Sequence, residues 1–121
     1  MSQADPPVTT AAIAPTSTLV FTLNVRTLGL VTLQVRNLAA GQICSGFLWR
    51  RVSGQLSYSA STMPDFSSIA AAGSVDAQGN PTDCVTADID VEGTADLVFV
   101  ALMSGAGGDI EWSARKAGPK Q

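Results

Sequence analysis

Apolar and polar residues alternate with a period of two along most of this chain, with no helical period between the alternating runs. In the first run Leu19, Phe21, Leu23 and Val25 share one side. Thr18, Thr22, Asn24 and Arg26 share the other, and Val20 alone breaks the pattern. Successive side chains of an extended backbone point to opposite faces, so this run predicts a half-buried strand. Leu28-Gly29 predicts a turn or bulge, after which Val31, Leu33 and Val35 alternate with Thr32, Gln34 and Arg36. Two such runs around a short turn predict a hairpin. Asn37 to Gln42 contains a glycine and ends the second strand.

Residues 43–52 are apolar through Phe47, Leu48 and Trp49 and then carry Arg50 and Arg51. Ser53-Gly54 turns the chain into Gln55 to Ala60, where Leu56 and Tyr58 alternate with Ser57 and Ser59, predicting a second hairpin. From Ser61 to Pro81 the pattern dissolves. Met63-Pro64-Asp65 and Gln78-Gly79-Asn80-Pro81 predict turns, and Ser67 to Ala72 predicts one helical turn. A stretch this long without an element of its own points to a functional or binding loop.

Order returns with Val85, Ala87, Ile89 and Val91, which alternate with Thr86, Asp88, Asp90 and Glu92. Gly93 turns into Leu97 to Leu102, an unbroken apolar run that predicts a central strand buried on both faces. Ser104 to Gly108 predicts a hairpin turn, and Ile110, Trp112 and Ala114 close the sheet. Strands arriving at such regular intervals predict an all-β fold, an antiparallel β-sandwich or jelly roll. Residues 1–15, with Pro6, Pro7 and Pro15 among small residues, predict an extended N-terminal arm. Residues 16–115 form the β-sandwich domain and 116–121 a polar tail. The arm is either a frayed terminus or a segment that adds a strand to a neighbour's sheet edge.

Composition agrees with this reading and narrows it. The chain has 121 residues, enough for one domain with its own core. Only 14% of them are charged, and the net charge is −3. That balance offers no electrostatic footprint for nucleic acid. Charge is also split along the chain. Arg26, Arg36, Arg50 and Arg51 precede a stretch without Lys or Arg up to Arg115, whereas eight of the ten acids lie between Asp76 and Glu111. The split either dissolves into a mixed surface on folding or steers neighbouring copies into register. The N-terminus lacks a basic and apolar secretory signal, and the apolar run around residues 97–103 is too short to span a bilayer. Synthesis in a reducing cytoplasm, with Cys44 and Cys84 as free thiols, is the resulting expectation.

Candidate chemistry is sparse. With no histidine in the chain, Ser-His-Asp and Cys-His centres and His-ligated metals are excluded. No phosphate-binding glycine loop with a lysine is present, since Gly105, Gly107 and Gly108 lie between strands. Asp88, Asp90 and Glu92 alternate along one strand and share a face. They either hold calcium with help from loop carbonyls or form a solvated face that resists edge pairing. Trp49 and Trp112 are core anchors, interface hot spots or a sugar-binding platform. Neither an enzyme nor a cofactor site is expected.

One resemblance adds to this. Residues 87–93, Ala-Asp-Ile-Asp-Val-Glu-Gly, lead into the apolar run 95–103, a Ser104-Gly105 turn and a final strand over 109–115. Before them stands Trp49-Arg50-Arg51-Val52-Ser53-Gly54-Gln55-Leu56-Ser57-Tyr58-Ser59. This succession over residues 43–115 resembles small β-sandwich structural proteins of tailed bacteriophages. The resemblance implies a virion protein of the capsid decoration (cement) type, a homotrimer on the capsid surface, with the major capsid protein and itself as partners. Nucleic acid and membrane are not expected partners. The candidate interface residues are Pro6, Pro7, Val8, Ile13, Trp49, Arg50, Arg51, Met63 and Phe66. The competing expectation is a carbohydrate-binding or host-recognition module of a tail or head fibre, using Trp49, Tyr58 or Trp112 with the loop over 61–84.

Overall fold

The alternating runs become strands in the computed structural model, which describes residues 8–54, 58–61 and 66–118. Eight strands follow one another: β1 (Thr9–Ile13), β2 (Thr18–Asn24), β3 (Leu30–Asn37), β4 (Cys44–Val52), β5 (Ser59–Ser61), β6 (Cys84–Asp90), β7 (Thr94–Met103) and β8 (Gly108–Ala117). They form two four-stranded antiparallel sheets, ordered β1–β8–β3–β6 and β2–β7–β4–β5.

The order has a simple origin. β1 pairs with β8, β2 with β7, β3 with β6 and β4 with β5, as in one long folded hairpin. Rolling that hairpin places its successive pairs in alternate sheets, and β3–β8 and β4–β7 contacts then complete each sheet. This is the jelly-roll form of an antiparallel sandwich.

Alternation set the inward faces, but neighbours in sequence are not always partners. The hairpin expected from β2 and β3 is absent, because β2 pairs with β7 and β3 lies in the opposite sheet. The turn between them closes through Leu28 N–H to Val25 O at 3.1 Å, with Thr27 in the left-handed region at φ 64°. The Ser104–Gly108 turn likewise carries the chain between sheets instead of joining paired strands. The β4–β5 hairpin is present, although β5 is only three residues long.

Two domain boundaries need correction. Residues 9–13 are not part of an arm but strand β1, paired in full with β8 from Thr9↔Trp112 to Ile13↔Gly108. Ile13 ends β1 in the core at 2% exposure. At the other end, β8 continues to Ala117, so the tail begins later than residue 116. The helical turn over 67–72 does not form either; Ile69 instead bridges Cys44 through a pair of backbone hydrogen bonds of 2.7 and 3.0 Å.

The core fills the space between the sheets. Val31, Leu33 and Val35 of β3 and Ile110 of β8 meet Leu48 of β4 and Leu97, Phe99 and Ala101 of β7. Phe21 stacks on Trp112 with ring centroids 4.0 Å apart, and on Phe99 at 5.1 Å, while Phe66 meets Phe99 edge-on at 5.4 Å. Trp112 is therefore a core anchor, whereas Trp49, read with it as one, is 45% exposed and is not. Phe66 is fully buried, which removes it from any exposed interface. Both cysteines are free, and burial pushes the Cys44 thiol up to about 11, leaving it protonated and unreactive at neutral pH.

Asn37 is the principal buried polar residue of the frame. Its side-chain amide donates to Gln42 O, Ala70 O and Ile69 O at 2.7, 3.1 and 3.3 Å, and its carbonyl accepts from Ala39 N–H at 2.9 Å. One side chain thus ties the β3–β4 connection to the segment before β6.

Candidate functional site

The strand alternation decides which side chains the β2–β7–β4–β5 sheet turns outward. Leu23, Leu97, Phe99, Ala101 and Leu48 face the core, so Thr18, Val20, Thr22, Val98, Val100, Leu102, Ser45, Phe47 and Trp49 face away from it. Register groups them into cross-strand rows. Val20, Val100 and Phe47 stand side by side on β2, β7 and β4, as do Thr22, Val98 and Trp49, and then Thr18, Leu102 and Ser45.

This outer face is largely apolar. Val20 is 56% exposed, Phe47 48%, Trp49 45% and Leu102 41%. Val98 and Val100, on the central strand between them, are covered to below a tenth by their own neighbours. The expectation of a strand buried on both faces thus holds for these two valines. Ion pairing closes the lower end of the face. Arg51 binds Asp96 through Nη2 and through Nε, the latter at 3.0 Å, and its guanidinium carbon lies 6.0 Å from the Tyr58 ring centre. These hydrogen bonds, to Asp96 first and then Tyr58, push the Arg51 guanidinium further up and keep it charged.

The opposite outer face, on β1–β8–β3–β6, is polar and cross-linked. Arg36 pairs with Glu111 at 3.7 Å, Gln34 donates to Thr86 at 3.0 Å and Thr32 donates to Asp88 at 2.7 Å. Two faces of one sandwich therefore differ in kind: one is finished for water, the other is not.

Strand geometry also sorts the candidate residues. Trp49 and Arg51 lie on the apolar face, whereas Arg50 points inward and donates from Nη2 to Asp90 O at 2.9 Å across the end of the sandwich. Arg50 is thus turned away from the apolar face, since neighbours along a strand point to opposite sides. Val8 is exposed beside β1, and Ile13 and Phe66 are in the core. Pro6, Pro7 and Met63 lie outside the described residues. Trp49 and Trp112 belong to different sheets, and Trp112 points inward, so they cannot share a sugar platform. The acidic strand does not assemble a cation site. Asp88 accepts the Thr32 hydroxyl, Asp90 accepts the Glu92 N–H at 3.0 Å, and Glu92 lies past the end of β6. Among the described residues no three His, Cys, Asp or Glu side chains gather closely enough for a metal ion.

Val20, Phe47 and Leu102 were not anticipated as surface candidates. The signal for Val20 was its break in the alternation of β2; for Phe47 it was its spacing of two from Trp49.

No protein-family model and no curated protein sequence matches the chain. Among solved structures it is similar to the pre-peptidase C-terminal domain of a collagenase from Bacillus anthracis, at 12% identity and a TM-score of 0.53, covering 91% of this chain and 89% of that one. It is also similar to chains of infectious bursal disease virus, Gt strain (17% identity, TM-score 0.38) and Gx strain (15%, 0.41). This chain spans 28% of the length of each of those virus chains. The collagenase-domain likeness shows a shared all-β fold alone, and the virus likenesses are too distant to add to it.

Proposed function

We propose that this protein is a virion structural protein of the capsid decoration type, performing no catalysis and stabilising a shell through contacts with the major capsid protein and with its own copies. The observation that carries the reading is the apolar outer face of β2–β7–β4–β5. Single exposed apolar residues are ordinary, but a contiguous patch framed by polar residues marks an interaction surface. Jelly rolls serve viral capsid and lectin domains alike, so the site and not the fold must carry the choice. The resemblance of residues 43–115 to tailed-phage structural proteins and the lack of histidine chemistry favour the shell.

The test is co-sedimentation of the purified protein with empty expanded heads, assembled from the major capsid protein encoded nearest its gene. Saturable binding at fixed stoichiometry is expected. Absence of binding at tens of micromolar sinks the reading. A fibre-borne carbohydrate-binding or host-recognition role is the second reading, favoured by Trp49 and Tyr58, both nearly half exposed. Glycan-array signals that vanish with Trp49→Ala would decide for it.

A further inference from the structure

We propose that the apolar face of β2–β7–β4–β5 is covered by the same face of a second copy, the two sheets packing about a two-fold axis. The inference rests on the reading of that face as an assembly surface and names its occupant.

Among the described residues none covers the face, since Val20, Phe47, Trp49 and Leu102 all stay exposed.

Charge then selects among outside partners. The charged side chains that the described residues of β2, β7 and β4 turn outward on this sheet are Arg51 and Asp96, and these pair with each other. The face is neutral on a chain whose net charge is −3. A cationic or anionic partner finds no complementary charge there. An identical face meets it without burying an unpaired ion, which would be costly. Two like apolar sheet faces can pack as the halves of a sandwich do, at roughly −30°. A two-fold contact also closes, so it ends at the dimer and does not propagate.

Area sets the strength. The three strands that carry the apolar rows, ~4.8 Å apart and seven to ten residues long, give a flat footprint of roughly 400 Å² per copy. Two copies bury about 1,000 Å² once side-chain relief is included, at the lower limit of specific interfaces. The pairing is therefore weak enough to be reversible in solution.

Sedimentation velocity from about 1 µM to 1 mM tests this, and a reversible monomer–dimer equilibrium in the micromolar range is expected. Phe47→Thr with Trp49→Thr keeps strand propensity and should weaken dimerisation at least ~30-fold, as loss of two central aromatic anchors does. Val20→Thr with Leu102→Thr is the second pair, used if the first fails to fold by circular dichroism. Gln34→Thr on the polar face should leave association unchanged. Added salt should strengthen pairing by screening repulsion between two acidic chains.

A protein monomeric at 1 mM overturns the proposal, and so does a dimer indifferent to both variant pairs. A trimer that depends on Phe47 and Trp49 overturns the two-fold packing as well. Head co-sedimentation is read separately. A monomer that still binds heads removes the pairing and keeps the proposed function, whereas a dimer that never binds heads does the reverse.

Discussion

Asn37→Ala is expected to lower folding stability by about 4 kcal/mol, among the largest effects of any single substitution outside the apolar core. The deleted amide leaves the carbonyls of Gln42 and Ala70 and the N–H of Ala39 without their partner, and the Ile69 carbonyl keeps only the Cys44 N–H. Each buried polar group stranded this way costs about 1–3 kcal/mol, and water entering the gap recovers part of it. Urea unfolding should show the midpoint falling by roughly 2 M at unchanged slope. Asn37→Asp should be as damaging, because it keeps the acceptor for Ala39 but sets a carboxylate against three carbonyl oxygens. A loss below about 1 kcal/mol for either variant would mean that these contacts do not hold the β3–β4 connection to the segment before β6.

The second large effect is a glycine whose value is space. Gly46 points inward on β4, and a methyl group there would collide with the Phe99 ring and stand 3.2 Å from Phe66 Cβ. In an open strand Gly→Ala would be favourable by about 0.5–1 kcal/mol, because glycine loses more backbone freedom on folding. Overpacking of a dense core costs about 1–3 kcal/mol or more and reverses the sign. Gly46→Ala should therefore destabilise by about 2 kcal/mol net. In a Phe99→Leu background, where the ring tip is gone, the same change should cost about 1–2 kcal/mol less. Strict additivity in this double-mutant cycle would show that the two side chains do not compete for one volume.

Both residues illustrate what a sequence pattern conveys and what it withholds. The inward faces of β2, β3, β6 and β8 were legible, because alternation reports directly which side of a strand is buried. Strand partners were less so. Only β4–β5 paired as its turn implied, since period-two patterning is blind to which sheet receives the next strand once a long hairpin rolls. β1 escaped notice because Thr-Thr-Ala-Ala-Ile offers small side chains with no clear alternation; its assignment comes from pairing with β8. Asn37 looked like a loop boundary, since nothing local shows that its amide reaches carbonyls some 32 and 33 positions away.

The candidate site was half legible for a similar reason. In residues 43–52 both sides of the strand carry large apolar groups: Cys44 and Leu48 on one, Phe47 and Trp49 on the other. Alternation says that Phe47 and Trp49 share a side but not that this side is the outer one. The core settles it, because Gly46 and Leu48 are required to meet Phe99 and Phe66. Arg50 and Arg51 were read together, yet the strand separates them into an internal clip and an external ion pair.

Trp49 reports most directly on whether this face is where the protein joins its assembly. A Trp112→Phe variant preserves an aromatic partner for Phe21 and leaves Trp49 as the only tryptophan. Acrylamide quenching of its fluorescence is then compared between the dilute free chain and protein assembled on heads. Burial of the face predicts strong quenching when free, with a blue-shifted and largely protected emission when assembled. Equal quenching in both states, with assembly confirmed by co-sedimentation, would contradict it.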